Sequence, residues 1–144
     1  MTGNSPVVMA VADLAYSGGD IAELLKLVLH NKLQIELQTL PLAEILATVK
    51  QLRPQLLIIG HRPLLENDAM RERWQAAGSP TGSDIVRALK SDPEAKDVPI
   101  LMVEALFDLE KVAQECGADG YLMVPFSPQE FLDATRPWLT TDKT

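Results

Sequence analysis

Four short apolar runs each end on a residue that bears on chemistry. Asp13 follows Val7–Ala12, and Gly60, His61 and Arg62 follow Leu56–Ile59. Glu104 follows Ile100–Val103, and Val124 precedes Pro125 at the end of Tyr121–Val124. Carboxylates at such places hold a metal, accept N–H groups or act as acids and bases. The other usual agents are scarce. His30 and His61 have no partner at metal-ligand spacing and read as surface residues. Cys116 is the single cysteine, so neither a disulfide nor a thiolate cluster is expected, and its place on an apolar helix face suits the core. No nucleophile–histidine pair stands out. Neither Gly-x-Gly-x-x-Gly nor Gly-x-x-x-x-Gly-Lys occurs. A phosphate loop needs N–H groups presented by Gly, Ser or Thr, and Asp13–Gly19 offers only Ser17, Gly18 and Gly19.

The elements that must position these residues alternate in kind. Val7–Ala12, Leu56–Ile59, Ile100–Val103 and the weaker Tyr121–Val124 are nearly continuous apolar runs, which suit strands buried on both faces of a parallel sheet. Leu33–Leu40 alternates apolar and polar residues and is expected as an edge strand with one wet face. Between the runs the spacing becomes helical. Leu42, Ile45, Leu46 and Val49 fall at i, i+3, i+4 and i+7, as do Leu109, Val112, Ala113 and Cys116. Ile21, Leu24, Leu25 and Val28 repeat the pattern behind Asp20, an expected N-cap. Gly82-Ser83-Asp84 opens a helix through Leu89. Ser127-Pro128-Gln129-Glu130 is a capping box with Pro at the first helical position, leading to Phe131, Ala134, Thr135 and Trp138.

This order predicts an α/β fold of five strands and five helices, a doubly wound parallel sheet in a three-layer sandwich. Sites in such folds lie at the carboxyl ends of the strands, where the residues above stand. Residues 6–140 are expected to form one domain, with flexible ends at 1–5 and 141–144.

Hydrophobic residues make up 47% of the 144 and charged residues 23%, an ordinary globular balance. The net charge of −7 argues against a nucleic-acid partner, whose binding depends on cations that neutralise phosphates. No apolar stretch is long enough to cross a bilayer, and Met1–Pro6 carries neither Lys nor Arg. The expected setting is cytoplasmic, with no membrane partner.

The order of motifs resembles the receiver domains of bacterial two-component response regulators. Arg53-Pro54-Gln55-Leu56 is similar to the family's approach to its third strand. Leu89–Pro93 followed by Asp97–Val103 is similar to its third helix and fourth strand. Gly117-Ala118-Asp119-Gly120-Tyr121-Leu122 with Pro125-Phe126 is similar to its G-A-D-x-Y-L-x-K-P-F signature. The resemblance covers about Val7 to Leu139 and implies a flavodoxin-like (βα)5 receiver fold. It also implies a degenerate member. In the family two acidic residues end the first strand and hold Mg²⁺; here Ala12 and Asp13 match them. Gly60 matches the aspartate that accepts phosphate, Glu104 a hydroxyl residue and Val124 a lysine. Asp13 is then either a remnant metal ligand or a cap on a backbone N–H. Glu104 either pairs with an arginine such as Arg62 across the old pocket or is solvated.

The resemblance thus points to a pseudo-receiver in phosphorelay-type signalling, not an enzyme and without cofactor or metal. It would act through a kinase, an output protein or a second copy of itself. The face implied is that of the fourth helix, fifth strand and fifth helix, with Phe107, Tyr121 and Trp138. Tyr121 reads equally as a switch side chain or a half-buried edge aromatic, and Trp138 as core or a dimer contact. One alternative is a small-molecule or cofactor-binding protein on the same fold. Another keeps phosphorelay chemistry on Asp13 or Asp68. The connection from His61 to Thr81 is long for such a fold. A short helix there could place Leu65, Ala69 and Arg73 on one side, and the connection as a whole is expected to fold over the vacated pocket; the other reading is a mobile insertion with Trp74 half exposed.

Overall fold

The computed structural model describes residues 8–11, 25–33, 35, 37–40, 44–62 and 67–139. Strands β1 (Val8–Val11), β2 (Leu37–Leu40), β3 (Leu56–Ile59), β4 (Ile100–Glu104) and β5 (Gly120–Met123) pair in parallel in the order β2-β1-β3-β4-β5. One register row runs from Thr39 through Ala10, Ile58 and Leu101 to Gly120. The strand order reverses at β1, so the crevice lies at the carboxyl ends of β1 and β3, beside β4.

Six helices flank the sheet among the described residues. Helix α1 covers 25–28 and continues as a π-helical turn over Leu29–Leu33. The others are α2 (Ile45–Leu52), α3 (Asp68–Ala76), α4 (Gly82–Lys90), α5 (Leu109–Cys116) and α6 (Pro128–Leu139).

Alternation along β3 and β4 divides the core. Leu56, Ile58, Leu101 and Val103 pack with Leu25, Leu29, Phe131 and Leu139 of α1 and α6. Leu57, Ile59, Ile100 and Met102 pack with α2, α4 and α5 through Ile45, Val49, Val86, Leu89, Leu109 and Ala113. All eight strand residues are fully buried, each worth about 1.5–3 kcal/mol relative to an exposed position. That explains why β3 and β4 lie in the sheet interior.

Several expectations need correction. The strand expected over 33–40 is only Leu37–Leu40, because Leu33 closes the π turn while Ile35, buried, packs with the α1 side. The Leu46 side of α2 is partly exposed, although Ile45 and Val49 are buried as the spacing implies. The long connection contains the short helix expected there, α3, which adds a sixth helix to the five of the alternating pattern among the described residues. The Asp20 cap, and Leu65 in the connection, lie outside the described residues. Other local signals appear as expected. Ser127 Oγ accepts from Glu130 N–H at 3.1 Å while Glu130 accepts from Ser127 N–H at 2.7 Å. Cys116 is buried.

The Gly117-Ala118-Asp119 segment has a structural task. Gly117, at φ +93°, caps α5 in the left-handed region that glycine alone enters without strain. One Asp119 carboxylate oxygen accepts from Ile100 N–H at 2.8 Å and from Lys90 Nζ at 2.6 Å. Lys90 also donates to the carbonyls of Lys96 and Val98. The end of α4, the following loop and the start of β4 are thereby tied together.

Candidate functional site

The site begins where β3 and β4 end. Gly60 is buried and follows Ile59 directly. Glu104 ends β4 and continues the alternation of Ile100 and Met102, which carries its side chain toward the segment leaving β3. It is fully buried. A carboxylate in that position would lose several kcal/mol of hydration without compensation, and the compensation here is complete. Oε1 accepts the N–H groups of His61 at 2.8 Å and Arg62 at 3.1 Å. Oε2 accepts Arg62 Nε at 3.2 Å and Nη2 at 2.8 Å. Two consecutive amides and a guanidinium fork therefore surround one carboxylate. The Arg62 side chain remains 54% exposed on its outer side, and its Nη2 also reaches Ala105 O at 3.3 Å.

The cradle is braced from behind. Gly82 N–H donates to His61 O at 2.7 Å. A Cβ at Gly82 would stand 1.8 Å from Gly60 O, so only glycine permits α4 to begin against the end of β3. Ser83, also buried, lies with Oγ 3.1 Å from His61 Nδ1. The fold thus does bring a hydroxyl to a histidine, contrary to the reading of the sequence. Nothing in the spacing of residues 61 and 83 signals it. Burial makes Ser83 a brace for the imidazole, not an accessible nucleophile.

Thr81 and Asp84 form a reciprocal capping box at the start of α4, with Thr81 N–H on Asp84 and Asp84 N–H on Thr81. The Thr81 N–H is the main cause that holds the Asp84 carboxyl below its ordinary value, with Arg87 and His61 adding to it.

Of the residues singled out in the sequence, the fold gathers Gly60, His61, Arg62 and Glu104. Val124 adjoins them through its N–H on Glu104 O at 3.1 Å, but its half-buried side chain packs with the α1 and α6 side of the core. Ala12 and Asp13 lie outside the described residues. Of the two readings of Glu104, the structure shows the ion pair with Arg62. What the sequence did not reveal is the pair of amides beside it.

The face formed by α5, β5 and α6 stands apart. Phe107 is 92% exposed, and Tyr121 and Met123 lie outward on β5. Trp138 is half-buried, and its ring approaches Gly120 so closely that a Cβ there would lie 3.1 Å from Cη2. Trp138 therefore belongs with the core packing. Helix α3 has no buried residue, and Asp68 at its start is exposed. Trp74 turns inward, packing against the α2–α4–α5 side of the core and donating Nε1–H to Pro80 O at 2.8 Å. What closes over Glu104 is the backbone of His61 and the side chain of Arg62. These two residues begin the connection expected to fold over the pocket, of which residues 63–66 lie outside the described residues. Among the described residues no group of three or more His, Cys, Asp or Glu has metal-holding geometry, and no helix is long and apolar enough to cross a membrane.

No protein-family model matches the chain. Over 61 residues it is 38% identical to the phosphate regulon transcriptional regulatory protein PhoB of Pseudomonas aeruginosa, a match covering 41% of this chain and 26% of that protein. Over 58 residues it is 36% identical to the chemotaxis protein CheY of the same organism, covering 39% of this chain and 46% of that one. The matched segment spans less than half the length of either relative. Among solved structures, the signal receiver domain of a signal transduction histidine kinase from Syntrophus aciditrophicus is similar with a TM-score of 0.68 and 20% identity. That similarity covers 97% of this chain and 95% of the other. The chain has the flavodoxin-like fold of receiver domains.

Proposed function

We propose that the chain is a response-regulator receiver of degenerate type, which works in two-component or phosphorelay-type signalling through protein contacts and takes no phosphoryl group on aspartate. The observation that carries this reading is the occupation of the strand ends. Gly60 offers no nucleophile where the resemblance calls for an aspartate. Beside it, the buried Glu104 carboxylate holds the Arg62 cation and two N–H groups. Phosphoryl transfer depends on cations placed around the transferred oxygens. The Arg62 cation is already paired, and a second anion would meet the Glu104 charge in a poorly hydrated place. Val124, in the position of the lysine, is aliphatic and packs inward.

The family's Mg²⁺ fits these residues poorly. Mg²⁺ requires several oxygen ligands in near-octahedral array. Gly60 supplies no carboxylate, and both Glu104 oxygens are engaged by N–H donors.

The partner face is that of α5, β5 and α6, which bears exposed Phe107, Tyr121 and Met123. Large apolar side chains outward on an edge strand favour a protein partner: a kinase, an output protein or a second copy of the chain. The decisive experiment is exposure to acetyl phosphate with Mg²⁺, followed by intact mass measurement and tests with beryllofluoride. No phosphoryl adduct and no beryllofluoride-induced resonance shift are expected. A hydroxylamine-sensitive adduct on any aspartate, Asp13 and Asp68 included, would defeat the reading.

A further inference from the structure

The segment after β3 has the make-up of an anion receptor. Its two successive N–H groups, at His61 and Arg62, converge on one oxygen, and a guanidinium fork grips the other. Such donor sets recognise carboxylates and phosphates in general, because several short N–H contacts replace the water an oxyanion gives up. The receptor is also held in shape without help from its ligand. His61 O is fastened by Gly82 N–H, the imidazole lies against Ser83, and Gly82 stands so near Gly60 O that no Cβ fits between them. The anion comes from the neighbouring strand, at zero exposure.

We propose that the His61 and Arg62 N–H groups and the Arg62 guanidinium form an oxyanion-binding cradle whose resident ligand is the chain's own Glu104 carboxylate. The chain thereby holds its β3 and β4 loops in an anion-bound arrangement without any external anion. Arg62 extends this tie to Ala105 O, the first residue of the loop that bears Phe107. The exposed Phe107 is thus joined to the filled site through this hydrogen bond and the short stretch of backbone that follows Ala105. Removal of the Glu104 side chain would leave the donors in place and open to solvent through the outer side of Arg62.

The test uses the full chain with Glu104→Ala and, as a smaller disturbance, Glu104→Ser. Amide resonances are followed during titration with inorganic phosphate and, separately, with acetate. In the unaltered chain the His61 and Arg62 amides should not respond. In either variant they should shift saturably, with an apparent affinity about tenfold or more above that of the unaltered chain. Addition of Arg62→Ala should abolish the response. Flat titrations in both variants, or binding that survives Arg62→Ala, would overturn the proposal. If neither variant folds, the unaltered chain decides. A resolved, slowly exchanging Arg62 Nε–H unmoved by phosphate supports the cradle, and exchange at the rate of an exposed arginine refutes it. The outcome is separable from the signalling reading, since phosphorylation of the unaltered chain would defeat that reading and leave these titrations as they are.

Discussion

Substitution of Gly82 by alanine tests the joint between β3 and α4 that braces the site. An exposed helical glycine replaced by alanine would ordinarily stabilise a helix by up to about 1 kcal/mol. Here the added Cβ would meet Gly60 O at 1.8 Å, Gly60 C at 2.8 Å and His61 Cα at 2.9 Å, all backbone atoms. To restore ordinary contact the start of α4 must move by about 1.6 Å, an overpacking strain of about 1–3 kcal/mol. The 2.7 Å bond from Gly82 N–H to His61 O is lost in the process, about 0.5–1.5 kcal/mol more. Against the gain in helix preference, the net is a loss of about 2 kcal/mol, or roughly 4–8 °C in Tm for a chain of this size. Urea denaturation with a thermal melt measures it. Amide spectra should show the disturbance spreading through His61 and Arg62 toward Glu104. Gly78→Ala is the control. Gly78 has φ +93° and open space around it, so the cost there is backbone strain alone and the site resonances stay fixed. A Gly82→Ala chain as stable as the unaltered one, or unmoved His61 and Arg62 amides, would refute the reasoning.

Four further outcomes follow from the contacts described above. Thr81→Ala should cost about 1 kcal/mol through loss of the N-cap, measured by denaturation. Because Thr81 N–H lowers the folded Asp84 value, the stabilisation is whole above the ordinary 3.8 and is lost as pH falls through the lowered value. Asp84→Asn should therefore flatten the stability profile below about pH 4 and leave its shape at neutral pH unchanged. Lys90→Met should cost about 1–2 kcal/mol by leaving the Lys96 and Val98 carbonyls and the Asp119 carboxylate without their shared donor, and an unchanged denaturation midpoint would contradict it. In a Trp138→Phe background, Trp74 should emit from a shielded setting and resist iodide, since its indole is bonded to Pro80 and packed on the core; red-shifted, readily quenched emission would count against that packing.

Local physics made much of the architecture legible. β3 and β4 are apolar at every position up to Glu104, and a segment without a polar face has nowhere to lie but between two helical layers. The box at Ser127 and Glu130 and the spacing of α5 are equally local, since their donors, acceptors and apolar faces recur within a turn or two. Gly60 and Val124 already showed from their types that neither an acceptor carboxylate nor a cation stands there. Other features depend on contacts that sequence spacing does not express. From sequence a glutamate closing a strand reads either as solvated or as paired with an arginine such as Arg62, and the parallel pairing of β3 with β4, which brings that partner from 42 residues away, decides for the pair. The two amides that complete its shell have no side-chain signature at all. Ser83 meets His61, and Gly82 must be glycine, because α4 starts against the end of β3 after an excursion of about twenty residues. The end of α1 is of the same kind: alternation over 33–40 signals a strand, yet the π turn claims Leu33 and leaves only Leu37–Leu40 to pair with β1. Patterns of side chains thus determined which segments are buried. The close approach of backbones, which no side-chain pattern records, decided what the buried ends hold.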